Sequence, residues 1–367
     1  MSFYNTVEKF RNFNFTEYWE KVELDDVLRS INEVNPSYED LLNLLSPKAE
    51  EALEEMAVKA RELSLKHFGR TVLLYTPIYI ANYCVNKCAY CGYNLENSIC
   101  RKKLTMEEIK MESEAVSKQG FKHIILLTGE SPVHSPTSYI VDAIKTMKEY
   151  FPSITLEVQP LSEEDYKKAV QAGADGLTVY QETYDEKVYD KVHLAGPKKN
   201  YKFRLDAPER GAKAGMRSLS IGALLGLADF RKDAFFTALH GEYLRKKYPH
   251  IDVVYSVPRI RPCAGGLREL NTVDDKRTVQ IMLAYKIFAQ QSGINISTRE
   301  DHEMRRHLIP LGITKISAGV STEVGGHALN SKGTSQFTIN DEGTVEEVKN
   351  MIIQAGFQPI FKDWERF

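Results

Sequence analysis

From about residue 72 onward, short runs rich in apolar and β-branched residues alternate with longer segments whose apolar residues recur every three or four positions. The runs predict strands at Val72 to Ala81, His123 to Thr128, Ser153 to Gln159, Gly176 to Tyr180, Ser218 to Gly222, Asp252 to Val257, Gly293 to Ser297 and Ile313 to Ser317. Between them the helical period predicts Thr105 to Gln119, Thr137 to Tyr150, Glu163 to Ala172, Pro208 to Ala214, Ala234 to Lys247, Asp274 to Gln291 and Asp301 to Ile309. Strand and helix in repeated succession predict an α/β fold, a (β/α)8 TIM-type barrel whose chemistry gathers where strands end and loops begin.

The flanks read differently. Residues 1–71 are helical and charged, an N-terminal helical extension in which Ser46-Pro-Lys-Ala-Glu opens a helix running toward Phe68. The expected division is 1–71 for the extension, 72–317 for the barrel and 318–367 for a C-terminal loop and helix packed on the barrel. That loop includes a Gly- and Ser-rich stretch from Gly325 to Ser335, either a lid over the barrel mouth or a connector, and a helix capped at Thr344 that runs toward Ala355.

Composition narrows the partners. Lysine and arginine number 48 against 50 acids, and the two are interspersed, so neither nucleic acid nor an anionic membrane is an expected partner. The first residues, Met-Ser-Phe-Tyr-Asn-Thr, contain no basic region followed by an apolar core, and no apolar run reaches membrane-spanning length, which points to the cytoplasm. Five cysteines in 367 residues do not make a disulfide framework and suit a reducing compartment.

Three of those cysteines carry the chemistry. Cys84, Cys88 and Cys91 are spaced C-x3-C-x2-C directly after the first predicted strand. Three thiolates hold three irons of a 4Fe-4S cubane and leave the fourth iron open, where S-adenosyl-L-methionine can chelate through its amino and carboxylate groups. The alternative is a structural zinc site with Cys100 as fourth ligand, and with it a zinc-stabilised binding protein. Tyr90 just before the last cysteine and the short gap after the strand favour the cluster. Cys263 reads as a buried small hydrophobe.

Polar residues crowd the predicted strand ends. The second strand runs into Gly129 and Glu130, a glycine that allows backbone approach to a ligand and a carboxylate that accepts from an ammonium. On the third, Thr155, Glu157 and Gln159 share one face and should point into the lumen. The fourth ends in Tyr180-Gln-Glu182-Thr-Tyr184, suited to ribose hydroxyls or an amino acid head group, and Arg204 follows just before a helix. Arg259 and Arg261 after the sixth point to a ligand or to neighbouring acids. Arg299 after the seventh either clamps a substrate carboxylate or pairs with Glu300 or Asp301, and Ser317 closes the eighth. No histidine pair has metal-ligand spacing, no Ser/His/Asp order specifies a hydrolase, and there is no phosphate loop or G-x-G-x-x-G after a strand.

Taken in order, Cys-Val-Asn-Lys-Cys-Ala-Tyr-Cys-Gly-Tyr, Leu-Thr-Gly-Glu, Glu-Val-Gln-Pro-Leu, Val-Tyr-Gln-Glu-Thr-Tyr, Pro-Arg-Ile-Arg-Pro-Cys-Ala-Gly-Gly, Ile-Ser-Thr-Arg-Glu and the Lys-Asp-Trp near the end resemble the radical S-adenosylmethionine superfamily, and within it the tyrosine lyases of thiamin thiazole synthesis. The resemblance runs from Tyr18-Trp19 to Phe361-Lys-Asp-Trp-Glu. It implies that Cys84, Cys88 and Cys91 ligate the cluster, that Tyr90 lies beside the adenine, and that Glu130, Glu182 and Arg204 meet the amino, polar and carboxylate groups of the cofactor. Gly129, Glu157 and Gln159 fall with that cofactor group, while Arg299 and Ser317 match positions for the substrate head group.

The implied reaction is reductive cleavage of S-adenosylmethionine, hydrogen abstraction from the amino group of L-tyrosine, and Cα–Cβ scission to 2-iminoacetate and p-cresol. Implied partners are a thiazole synthase, to which the labile product would pass, and a reductant such as flavodoxin or ferredoxin. Rivals on the same scaffold are a tryptophan lyase and the tyrosine lyase of hydrogenase cofactor assembly. The latter expects a second cysteine cluster, whereas no cysteine follows Cys263 here.

Overall fold

In the computed structural model, which describes residues 2–266, 272–329 and 334–362, the predicted strands form one closed parallel barrel. They are β1 (Thr71–Ala81), β2 (His123–Thr128), β3 (Ser153–Glu157), β4 (Gly176–Glu182), β5 (Ser218–Ala223), β6 (Asp252–Ser256), β7 (Gly293–Ile296) and β8 (Lys315–Ser317). Each pairs with its successor, and β1 pairs with both β2 and β8 to close the ring. Outward residues such as Ile154 and Leu156 are fully buried beneath the surrounding helices.

The lumen is unusually polar. Tyr75, His123, Thr155, Ser218, Ser220 and Asn295 line its lower part, where branched apolar side chains usually fill such barrels. His123 Nε2 lies 3.0 Å from Thr155 Oγ1, one of the contacts that satisfies these groups.

Helix starts follow the local sequence. Thr105 and Glu108 form a reciprocal capping box before Met106–Lys118, Thr344 and Glu347 do the same before Val345–Gln354, and Ser162, Asp274 and Asp301 cap three more helices. Ser46 differs from expectation. Its side chain accepts from the Ala49 N–H, but Pro47–Glu51 is a 3-10 turn, Ala52 leaves helical geometry, and the long helix starts only at Leu53 and runs to Phe68. The N-terminal extension packs by its aromatic residues: Phe10 and Phe15 meet Phe235 and Phe236 edge-on, and Phe3 stacks on His240 at 4.2 Å.

Three features lay outside the sequence pattern. Two short helices, Glu186–Val192 and Tyr201–Leu205, fill the connection after β4. A ninth strand, β9 (Gln358–Ile360), pairs in parallel with Thr71–Leu73. Leu73 pairs with Lys315 as well as Ile360, so β9 takes the edge of β1 that β2 uses further along. The lid-or-connector loop is tied down in its described part. The buried carboxylate of Glu112 accepts from the N–H groups of His327, Ala328 and Leu329, and Thr338 and Asn340 donate from their backbones to Pro262 and Thr298. Residues 330–333 of that loop, and Asp363 and Trp364 of the Lys-Asp-Trp motif, lie outside the described residues.

Candidate active site

At the carboxyl ends of the strands lies a cavity partly open to solvent. Cys84, Cys88 and Cys91 line it together with Tyr90, Gly129, Glu130, Glu157, Glu182, Arg204 and Arg299. Twelve residues carried the expected site, and these ten come together.

The cysteine loop is held from three sides. Its backbone forms a short ladder with residues 192–195: Ala89 N–H donates to Val192, Lys87 N–H to Ala195 and Leu194 N–H to Lys87, each within 2.9 Å. Arg101 donates to the carbonyls of Asn82, Tyr93 and Asn94. From the C-terminal segment, Gln336 accepts the Gly92 N–H with its carbonyl and the Tyr79 hydroxyl with its side chain. A Cβ at position 92 would sit 2.6 Å from the Gln336 carbonyl oxygen, so this crossing requires glycine. Gly129, in the cavity wall, has a similar task as well. A Cβ there would lie 2.3 Å from the Tyr83 carbonyl oxygen, so its bareness admits the cysteine-bearing strand end.

The three thiols share the cavity wall and form no disulfide. Among the described residues no group of three His, Cys, Asp or Glu is placed to hold one metal ion. In a cubane each thiolate would bind a different iron, so the three sulfurs need not meet at one point. Cys100, the expected fourth zinc ligand, is exposed and outside the cavity. Burial pushes the Cys91 thiol up to about 11 against the pull of Lys198. Cys263 is only half-buried, and its Sγ donates to the Tyr90 carbonyl.

Beside the cysteines lies a network of charges. Arg204 donates Nε to the Tyr180 carbonyl at 2.7 Å, Nη1 to Glu130 at 3.1 Å and Nη2 to Glu182 at 3.3 Å. Lys198, which the sequence did not single out, reaches Glu182 at 2.7 Å from a 3-10 turn, Pro197–Lys199. Asn86 joins the two ends, donating to Glu130 at 2.6 Å and accepting the Lys198 N–H. Burial alone would raise the Glu182 carboxyl, but Lys198 and Arg204 outweigh it and hold it at about 2. Glu182 also sits at a register shift between β4 and β5 with φ 72°, the one non-glycine at positive φ among the described residues. Its backbone is bent out of the strand to aim the carboxylate at the two cations.

His193 adjoins Tyr90, ring edge to ring face. Its Nδ1–H donates to the Tyr189 carbonyl at 2.8 Å, which leaves Nε2 to accept the Tyr90 hydroxyl at 2.7 Å. Burial holds the imidazole neutral, with its pKa down at about 3.

Arg299 does not pair with Glu300 or Asp301. Glu300 is taken by Arg259 and Arg261, and Asp301 caps the helix that follows. Arg299 instead lies over the Phe337 ring at 3.6 Å and donates to the Arg259 carbonyl, with its guanidinium in the cavity. Two expected residues fall outside. Gln159 lies past the end of β3, where the two-residue alternation has lapsed, and it donates to the Ser135 carbonyl. Ser317 pairs in register with Tyr75 below the cavity, and its carbonyl is bonded to Arg305.

Known proteins match both halves of this arrangement. The radical SAM superfamily model matches residues 78–234, and the biotin and thiamin synthesis associated domain matches residues 256–358. A 2-iminoacetate synthase of Salmonella typhimurium is 38% identical over 364 residues, covering 96% of this chain and 97% of the relative. Its counterpart from Escherichia coli is 36% identical over the same shares. Among solved structures, a maturase of the FeFe-hydrogenase superposes with TM-score 0.90 at 32% identity, covering 97% of this chain and 80% of that one. A methylornithine synthase superposes with TM-score 0.73 at 24% identity, which speaks to the fold alone.

Proposed function

The chain belongs to the 2-iminoacetate synthase family of the radical S-adenosylmethionine superfamily, and from that membership we propose that it cleaves the Cα–Cβ bond of L-tyrosine to 2-iminoacetate and p-cresol for thiamin thiazole synthesis. The observation that carries the reading is the meeting of three cysteine thiols, the Glu130–Arg204–Glu182–Lys198 network and Arg299 in one cavity.

Cys84, Cys88 and Cys91 would hold a 4Fe-4S cluster, which together with S-adenosylmethionine supplies the agent that removes a hydrogen atom from the substrate amine. The remaining work falls to side chains. Glu130 and Glu182 offer carboxylates, and Arg204 and Lys198 cations, to the amino and carboxylate ends of the cofactor. The Tyr90 ring, fixed by His193, would form a wall beside its adenine. Arg299 presents its guanidinium to the substrate carboxylate, held in place by Phe337. Gln336 and Phe337 of the C-terminal segment line the same cavity, where they would help to keep water from a reactive intermediate that hydrolyses readily.

A thiazole synthase as acceptor of the imine and a flavodoxin or ferredoxin as reductant complete the reading. The cytoplasm is the compartment that such a cluster would suit, and no helix among the described residues is long and apolar enough to cross a membrane. The test is anaerobic incubation of the reconstituted protein with dithionite, S-adenosylmethionine and either tyrosine or tryptophan, with products read by mass spectrometry. p-Cresol, 5'-deoxyadenosine and glyoxylate from hydrolysed imine are expected from tyrosine. Deoxyadenosine with neither amino acid consumed would overturn the substrate while keeping the cluster.

A further inference from the structure

Two charged side chains in the cavity stand apart from the network beside the cysteines. Glu157, the last residue of β3, is half-buried and looks into the cavity, yet its carboxylate makes no hydrogen bond or ion pair with any described residue. Arg299 has an aromatic ring and a carbonyl for company but no carboxylate partner among the described residues. The charged groups that face Glu157 are Arg299, Glu182, Arg204 and Lys198, with the phenols of Tyr75, Tyr79 and Tyr180 nearby. Arg204 and Lys198 are committed to Glu130 and Glu182, and Arg299 exerts the strongest pull on Glu157.

The cavity therefore offers one open carboxylate and one open guanidinium, complementary to the two ends of an amino acid zwitterion. The geometry assigns Glu157 to the substrate, as the residue that receives the α-amino group and takes its proton, while Arg299 takes the carboxylate. The inference rests on the lyase reading above and moves Glu157 out of the cofactor group in which the sequence placed it. The step balances as a proton transfer: Glu157 carboxylate and substrate ammonium become Glu157 carboxylic acid and neutral amine, with no electrons moved. The neutral amine then carries the N–H bond from which a hydrogen atom is removed, and Glu157 keeps the proton until the products leave. Burial pushes the Glu157 carboxyl up to about 7 against the pull of Arg299, a range in which a carboxylate both takes and releases a proton near neutrality.

The test uses the reconstituted protein and three ligands: L-tyrosine, tyramine without the carboxylate, and 3-(4-hydroxyphenyl)propanoate without the amine. Glu157→Gln should weaken L-tyrosine and tyramine by about 10- to 100-fold, the range for losing a charge-assisted hydrogen bond, and leave the propanoate and S-adenosylmethionine unchanged. Wild-type protein should release roughly half a proton on binding tyrosine at pH 7 and nearly one at pH 6, because the carboxyl and the ammonium, which hold up to two protons when apart, share one in the complex. The Gln variant should release none, and Glu157→Asp should restore the release even if affinity stays low. Unchanged tyrosine affinity in Glu157→Gln, or a loss of S-adenosylmethionine affinity in its place, overturns this inference alone. Wild-type protein that cleaves S-adenosylmethionine but binds none of the three ligands overturns the lyase reading and the inference with it.

Discussion

The mouth of the barrel and its opposite end each bury a lysine, and burial leaves them in opposite states. Lys198 at the mouth faces Glu182 at 2.7 Å, and its ammonium is held well above the ordinary lysine range although desolvation works against it. Lys286, on the helix Asp275–Phe288 at the amino-terminal end of the strands, has among the described residues only the Ser292 carbonyl at 2.8 Å and the Phe68 ring at 4.2 Å. Burial pulls it down to about 7. The same desolvation acts on both, and a carboxylate within contact decides the sign. At the mouth, charge is kept and compensated, ready for a charged ligand. At the base, a long aliphatic stem fills the space under Gly312, and the amine at its tip is held at the edge of neutrality.

The sharpest separation of the two ends comes from the cysteines. Cys88→Ala should lower cleavage of S-adenosylmethionine by a factor of about 10³ or more, while the thermal midpoint of the iron-free protein stays within about two degrees of wild type, because a small side chain replaces a small one. Iron content and calorimetry read the two effects separately, and normal turnover would refute the ligand assignment.

Next is Glu182→Gln, which would leave Lys198 with no direct acidic partner and Arg204 with Glu130 alone. S-adenosylmethionine affinity should fall by about 10- to 100-fold, and Lys198 should drift toward the depressed state of Lys286. Faster acylation of Lys198 at pH 7 would register that drift. An unchanged acylation rate would show that Glu130 suffices and would break the comparison at its centre.

Smaller, and of opposite kind, is Lys286→Met. In the folded protein the amine is neutral down to about pH 7, whereas in the unfolded chain it stays charged to about 10.5. Wild-type stability from this group is thus greatest above pH 10.5 and is lost as pH falls through that window toward 7. The variant should gain stability over wild type by about 2–3 kcal/mol more at pH 6 than at pH 9, with turnover at pH 8 unaltered. His67 lies close enough to feel the lysine, so the unfolding series should be repeated in His67→Gln to isolate the effect. A gap between variant and wild type that does not change with pH would mean that the ammonium is solvated in the folded state.

Legibility followed the same divide. His123–Thr128 and Glu163–Ala172 match their predicted bounds to the residue, because period and caps are local properties. That the three cysteines share one cavity was legible because they lie within eight residues of one another. Gln159 was misplaced because alternation was extended past the end of its strand, and the helix from Ser46 because a proline-led 3-10 turn resembles a helix start. Lys198 escaped notice as one lysine in Pro-Lys-Lys-Asn-Tyr-Lys, where nothing in the sequence says which of the three turns inward.

By itself the sequence determined the barrel, its strand order in the chain and the family, and it singled out the three cysteines, all of which rest on local periodicity and short motifs. Only the tertiary structure decided which polar residues satisfy one another and which remain open. Glu182 is claimed by a lysine from a turn and an arginine from a short helix, Gly92 by Gln336 from the far end of the chain, and Glu300 by two arginines that leave Arg299 in the cavity. These are competitions among charges brought within a few ångströms by folding, and their outcome depends on distance and burial, which have no counterpart in residue order.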